Sequence, residues 1–330
     1  MIIDGKLVKI LGDGQMSDLI ATDLKYRKGL VVDGAMATEL EKRGVDTSSD
    51  LWSATALIDH PDEIIAVHKS YFENGADVAT TNTYQANVSK FMELGWSESE
   101  SEALIVKAVE LARTACDEYY GSLSDDERKK RAPDPLIAGS VGPYGAYLAD
   151  GSEYRGDYNL TKAEFQEFHY SRMQLLDQAG VDLFAFETQP NFDEANALVD
   201  LLMDKFPKQQ AWLTFSVKDE ETLCDGTSLA EAVKYFNGAD QISAIGVNCT
   251  TLENINEIIR NIHQVTDKPI IVYPNNGDIY DPETKTWQAN PQADTFKDLV
   301  PEWLDAGAKL IGGCCRTTPS DIKEISNFIN

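Results

Sequence analysis

The chain has 330 residues, with 55 Asp and Glu against 29 Lys and Arg, for a formal net charge of −26. That balance argues against a nucleic-acid surface, which needs clustered Lys and Arg to neutralise phosphates, and against a basic membrane anchor. With 42% hydrophobic residues the chain can build a large core, so neither a disordered polymer nor a small stapled domain fits.

Residues 1–28 precede the first expected strand and are read as an N-terminal extension, a cap or an extra helix. They open MIIDGKLVKILGDGQ, without the basic, apolar and small-residue order of a secretion signal. Eight short apolar runs then recur along the chain: 29–33 (GLVVD), 77–81 (DVATT), 136–141 (LIAGSV), 182–187 (DLFAFE), 212–216 (WLTFS), 242–248 (ISAIGVN), 269–273 (PIIVY) and 309–313 (KLIGG). Most are apolar at consecutive positions, the pattern of parallel strands covered on both faces. Helical segments lie between them. Pro61 sits in the first turn of one, Thr161 to Glu164 and Ser228 to Glu231 read as capping boxes, and Thr318-Pro319 opens the last. The charged stretch 124–131 (SDDERKKR) is read as a solvated loop.

Length alone, at about 150 residues per domain, suggests two domains. Regular alternation of eight strands with helices instead points to one α/β unit, a (β/α)8 TIM barrel spanning 29–330. A doubly wound open sheet reads the same way locally and remains the alternative. The first three strand-to-strand spacings exceed the later ones, so long βα loops are expected in the first half, over the mouth. No apolar run reaches the roughly 18 residues of a membrane helix.

In such a barrel, chemistry sits at the C-terminal ends of the strands. Three of the five cysteines fall there: Cys249, and the neighbours Cys314 and Cys315. Three thiolates at a barrel mouth suit zinc with an open fourth position, whereas structural zinc sites close with four protein ligands. Simple packing of small thiols is the alternative, with a strained disulfide between the neighbours behind it. Cys116, on a helix face, and Cys224, in a loop, are read as packing residues. An odd cysteine count with an adjacent pair is no disulfide framework, so a reducing cytoplasm is the expected compartment. The four histidines read as helical or capping, with His68 and His169 packing between helices. The Gly-rich stretch 139–145 lacks the Lys-Ser/Thr of a phosphate loop.

The segment Gly312-Gly313-Cys314-Cys315-Arg316-Thr317-Thr318-Pro319 resembles the C-terminal signature of the homocysteine S-methyltransferase family. Asp33-Gly34-Ala35-Met36-Ala37-Thr38-Glu39-Leu40 resembles that family's N-terminal motif, and Gly246-Val247-Asn248-Cys249 its middle one. The likeness runs from about residue 29 to the end. The loop 139–158 is closer to members using S-methylmethionine or S-adenosylmethionine than to those using betaine or cobalamin.

The resemblance implies that Cys249, Cys314 and Cys315 hold Zn2+, whose fourth position receives the sulfur of L-homocysteine. The thiolate then attacks the methyl of a sulfonium donor, giving methionine. It also implies that Asp33 and Glu187 bind the amino-acid ammonium. Backbone N–H groups of Gly34, Ala35 and Met36, opening a helix, suit its carboxylate. Asn248 either contacts substrate or caps a turn. Trp52 either faces the sulfonium by a cation–π contact or anchors its loop, and Tyr84, Tyr144 and Tyr273 are weaker candidates of the same kind. The alternatives are the same barrel with betaine, another donor or a selenol acceptor, or a zinc-binding or redox-sensing protein without turnover.

Overall fold

In the computed structural model, which describes residues 2–3, 6–7, 18–47, 52–281, 286–290 and 292–330, the eight apolar runs form one parallel sheet. Its strands are β1 (Leu30–Val31), β2 (Val78–Thr80), β3 (Leu136–Val141), β4 (Leu183–Gln189), β5 (Ala211–Phe215), β6 (Ile242–Asn248), β7 (Ile270–Tyr273) and β8 (Ala308–Ile311). They follow one another in sequence order, and β8 returns to pair with β1. The remaining seam lies between β1 and β2, where Val32 bridges Val78 and the amides of Asp33 and Asp77 donate to the Val78 and Val31 carbonyls. The ring is a (β/α)8 barrel, not an open sheet.

The consecutive apolar residues have a simple cause. Leu30, Val32, Leu136, Ala138, Leu183, Ala185, Trp212, Ala244, Ile271 and Leu310 fill the inside of the ring. Their chain neighbours Val31, Ile137, Phe184, Phe186, Leu213, Ile245 and Ile311 belong to the outer core under the helices. Both faces are dry, so no polar alternation survives.

Before the barrel, the helix Leu19–Asp23 is capped by Asp18 and sends Ile20 into the inner cluster. The Leu19 amide donates to the Gln210 side chain, just before β5, so this helix lies across the N-terminal end of the ring. Residues 1, 4–5 and 8–17 of the extension lie outside the described residues.

Several local expectations are met and two change. Pro61 opens the helix Pro61–Glu73, and Thr161 and Glu164 form a reciprocal capping box. Ser228 accepts from the Glu231 amide, which is one half of the expected box. The stretch read as a loop at 124–131 is the helix Asp125–Arg131, opened by a Ser124–Glu127 capping box. Its acids occupy the first turn and its bases the last, complementing the helix dipole, so it forms without burying any residue. The long second unit is also explained differently: much of its length is the outer helix Glu98–Ser122 rather than loop.

One backbone approach is tight enough to test. A methyl group on Gly246, in β6, would lie 1.8 Å from the Ile271 carbonyl oxygen of β7. No side-chain adjustment relieves a backbone collision inside a closed ring. Gly246→Ala is expected to melt at least about 10 °C below the parent chain or to fail to accumulate in soluble form. A thermal melt coinciding with that of the parent would refute this account of the β6–β7 contact.

Candidate active site

The C-terminal ends of the strands open into one cleft. Cys249 directly follows β6 in the left-handed conformation, φ +54°, and its amide donates to Tyr273 of β7. After β8, Gly312 and Gly313 let the chain pass within contact of Val32 and Thr317, where side chains would collide. Gly312 thus serves close packing against the end of β1, and Gly313 close packing against Thr317. The pair itself is fixed by backbone bonds: Cys314 N to the Pro274 carbonyl at 2.7 Å and Cys315 N to Asn275 Oδ1 at 3.0 Å.

These constraints bring the three thiols together. Cys314 Sγ lies 2.9 Å from Cys249 Sγ, Cys315 Sγ lies 3.7 Å from it, and all three fall within 4.8 Å of one another. Among the described residues no other group of three His, Cys, Asp or Glu side chains is gathered this closely. Hydrogen bonds from Cys249 and Cys314 hold Cys315 well below the usual thiol range, while Cys314, donating to its neighbours, is pushed up. Three soft sulfur donors lining an open cleft fit a thiophilic ion with one position left for a substrate.

Two carboxyls face the same cleft from other strands. Asp33, just past β1, accepts from the Thr80 amide at 2.9 Å and the Thr80 hydroxyl at 3.0 Å. Burial pushes it up to about 8, the Thr80 bonds oppose this, and the charge of Glu187 adds to it. Glu187 accepts from the hydroxyls of Ser140 and Tyr273, and burial still pushes it up to about 7. Each is set to ionise when a cation arrives beside it.

Asn248 Oδ1 accepts from the Thr188 amide at 2.7 Å, and its Nδ2 donates to the Thr188 hydroxyl at 2.8 Å. Thr188 has φ +57°, where β4 slips register against β5 between Phe186 and Gln189. The Asn248 amide therefore holds the irregularity beside Glu187, the turn-holding role, while the residue also lines the cleft. Tyr273 lines the cleft and its hydroxyl supports Glu187, at 3.1 Å.

The other expected residues sort as follows. Gly34, Ala35 and Met36 line the cleft at the start of the helix Met36–Lys42, although the Ala35 amide already donates to Thr317 Oγ1 at 3.1 Å. Trp52 opens a 3-10 turn, Trp52–Thr55, and its side chain lies outside what is described. Tyr84 lines the cleft, whereas Tyr144 packs its ring against Phe168, Tyr147 and Tyr158.

Sequence reasoning missed the wall formed by the loop after β3. Tyr154 places its hydroxyl 3.4 Å from Cys249 Sγ, and Glu153 beside it is buried against the cleft. Burial pushes Glu153 up to about 7. A buried network fastens this wall. Glu194 accepts from the Tyr144 amide, the Tyr158 hydroxyl and His169 Nε2, and Arg172 donates to His169 Nδ1 and to the Gly142 and Tyr84 carbonyls. His169 is thus a packing and bridging residue, as expected, and a neutral one, since burial lowers it. His68 is buried as well and pushed down to about 4.

Comparison with known proteins bears on this arrangement. A family model described as homocysteine S-methyltransferase matches residues 30–329. The homocysteine S-methyltransferase YbgG of Bacillus subtilis is 47% identical over 297 residues, covering 90% of this chain and 93% of the relative. A homocysteine S-methyltransferase of Escherichia coli is 48% identical over 294 residues, covering 89% and 93%. Among solved structures, the metallated form of the homocysteine methyltransferase MmuM from Escherichia coli superposes with a TM-score of 0.84 at 44% identity, covering 94% of this chain and all of that one.

Proposed function

The chain belongs to the homocysteine S-methyltransferase family and methylates homocysteine, and we propose that its donor is a sulfonium and its metal zinc. The donor in this reading is S-methylmethionine, with S-adenosylmethionine as a second. Cys249, Cys314 and Cys315 are the zinc ligands. The observation that carries the reading is the gathering of three thiols and two buried carboxyls on one cleft. A metallated relative of the same fold supports it. The alternative of a zinc protein without turnover falls with family membership.

When bound, zinc supplies the Lewis acidity that keeps an incoming thiol deprotonated near neutral pH. The protein does the rest. Asp33 and Glu187 hold the homocysteine ammonium, Thr80, Ser140 and Tyr273 keep those carboxyls aimed, and the helix start at Gly34–Met36 receives the carboxylate. The acceptor thiolate attacks the donor methyl in line. A new S–CH3 bond forms, and the old one breaks with its electron pair left on the donor sulfur, now a neutral thioether. From S-methylmethionine both products are methionine.

The proposed catalytic unit spans 29–330, preceded by the extension 1–28. The five cysteines are free, which supports a reducing cytoplasm as the working compartment. Among the described residues no helix is long and apolar enough to cross a membrane. The test is steady-state kinetics with homocysteine against S-methylmethionine, S-adenosylmethionine and betaine, with zinc content measured on the same sample. Turnover with the sulfoniums at about one zinc per chain is expected. Turnover with betaine alone, or full activity without metal, would sink the reading.

A further inference from the structure

Of the carboxyls lining the cleft, the homocysteine contacts leave Glu41 and Glu153 unused, and Glu41 is already engaged by the Thr47 hydroxyl and Arg316. Glu153 lies in the 3-10 turn Ser152–Tyr154, is 6% exposed, and its Oε2 is buried without a hydrogen-bond partner. Asp150 fixes the turn by accepting from the Ser152 amide and hydroxyl. Arg155, the nearest base in sequence, turns outward to Asp150 and Asp157, and Arg172 is committed to backbone carbonyls and His169. The side chain next in sequence, Tyr154, places its hydroxyl 3.4 Å from Cys249 Sγ, and Glu153 lines the same cleft.

A carboxyl buried without a partner on the wall of this cleft is unfavourable until a cation enters beside it. Homocysteine brings one cation, its ammonium, for which Asp33 and Glu187 stand ready. The second cation to enter is the donor. We propose that Glu153 is a donor-specificity residue whose carboxylate stands against the sulfonium charge, an assignment that rests on the sulfonium reading of the reaction. Its effect is confined by the chemistry. The sulfonium carries its full charge in the bound donor and loses it as the methyl departs, so Glu153 favours donor binding more than the transition state. Removing its charge falls on the donor KM and spares kcat.

The variant Glu153→Gln keeps the shape and removes the charge. With zinc-loaded full-length protein, the KM for S-methylmethionine is expected to rise about tenfold or more, with kcat within about threefold and the homocysteine KM unchanged. A second measurement isolates the charge. The carbon isostere 2-amino-5-methylhexanoate has the donor's shape and no sulfonium, and by calorimetry it is expected to bind parent and variant equally. An unchanged donor KM would overturn the proposal. So would an equal loss of affinity for the isostere, which would place Glu153 on the amino-acid end or in the wall's packing. If the zinc-loaded parent itself fails to turn over either sulfonium, the sulfonium reading fails first. A working parent with an indifferent variant removes only the role of Glu153.

Discussion

On the proposed zinc reading, Cys314→Ser is expected to lose its bound metal and at least about a hundredfold of turnover. Removing only a hydrogen-bond partner of a metal ligand costs about ten- to a hundredfold, and here a proposed ligand itself goes. A serine hydroxyl is a hard donor that stays protonated near neutral pH, so two sulfurs remain where three are gathered. The fold is expected to survive. The Cys314 amide is held by the Pro274 carbonyl and its own carbonyl by Thr317 Oγ1, and neither bond involves the thiol. Elemental analysis beside a thermal melt separates loss of metal from loss of fold. Cys224→Ser is the matched control: Cys224 bonds Ser216 Oγ far along the chain from the cluster and lines no part of the cleft, so zinc and turnover should be kept. Full metal retention with unchanged turnover in Cys314→Ser would end the metal assignment.

The strand ends explain why the thiol site was legible. In a parallel barrel every strand delivers its last residue to the same face, so Asp33, Glu187, Cys249 and the 314–315 pair converge once the strands are found. Nothing about their pairwise distances has to be known. Asn248 resisted for the opposite reason. Its position at the end of β6 was evident, but its partner Thr188 lies on another strand, and only their contact shows that it holds a turn. Glu153 and Tyr154 sit on a loop whose general likeness was visible. Which side chain of that loop turns inward depends on Glu194, His169 and Arg172, brought in from two helices. The helix Asp125–Arg131 was a different kind of miss, since its capping box and its acid-to-base order were both present in the letters. It carries no apolar stripe and buries no residue, and end effects suffice for a helix of two turns beside a longer one.

Asp33→Asn should be both more heat-stable and nearly unable to bind homocysteine. Asp33 titrates near 3.8 when exposed and is pushed up to about 8 by burial. Between those values the folded chain keeps a proton that the unfolded chain releases, so this group makes stability fall as pH rises from about 4 to about 8. Below about pH 4 both forms hold the proton and the penalty vanishes. Asparagine does not titrate, and its amide preserves both contacts, accepting from the Thr80 amide and donating to the Thr80 hydroxyl. The variant is therefore expected to melt roughly 5 °C above the parent at pH 8, with the gap closing toward pH 4. Its homocysteine KM should rise at least about thirtyfold, because the substrate ammonium loses one partner of a buried charge pair, a loss of roughly 2 kcal/mol or more. Melts across that pH range and a homocysteine titration check both halves, and a pH-independent gap or an unchanged KM would refute the argument. The opposition of the two effects is the point. Glu187 is pushed up by the same burial, and Glu153 across the cleft likewise, so three acids resist joint ionisation before substrates bind. Each cation that enters relieves part of that resistance, so the stability given up to bury these carboxyls reappears as selectivity for two positively charged reactants over neutral ones of the same shape.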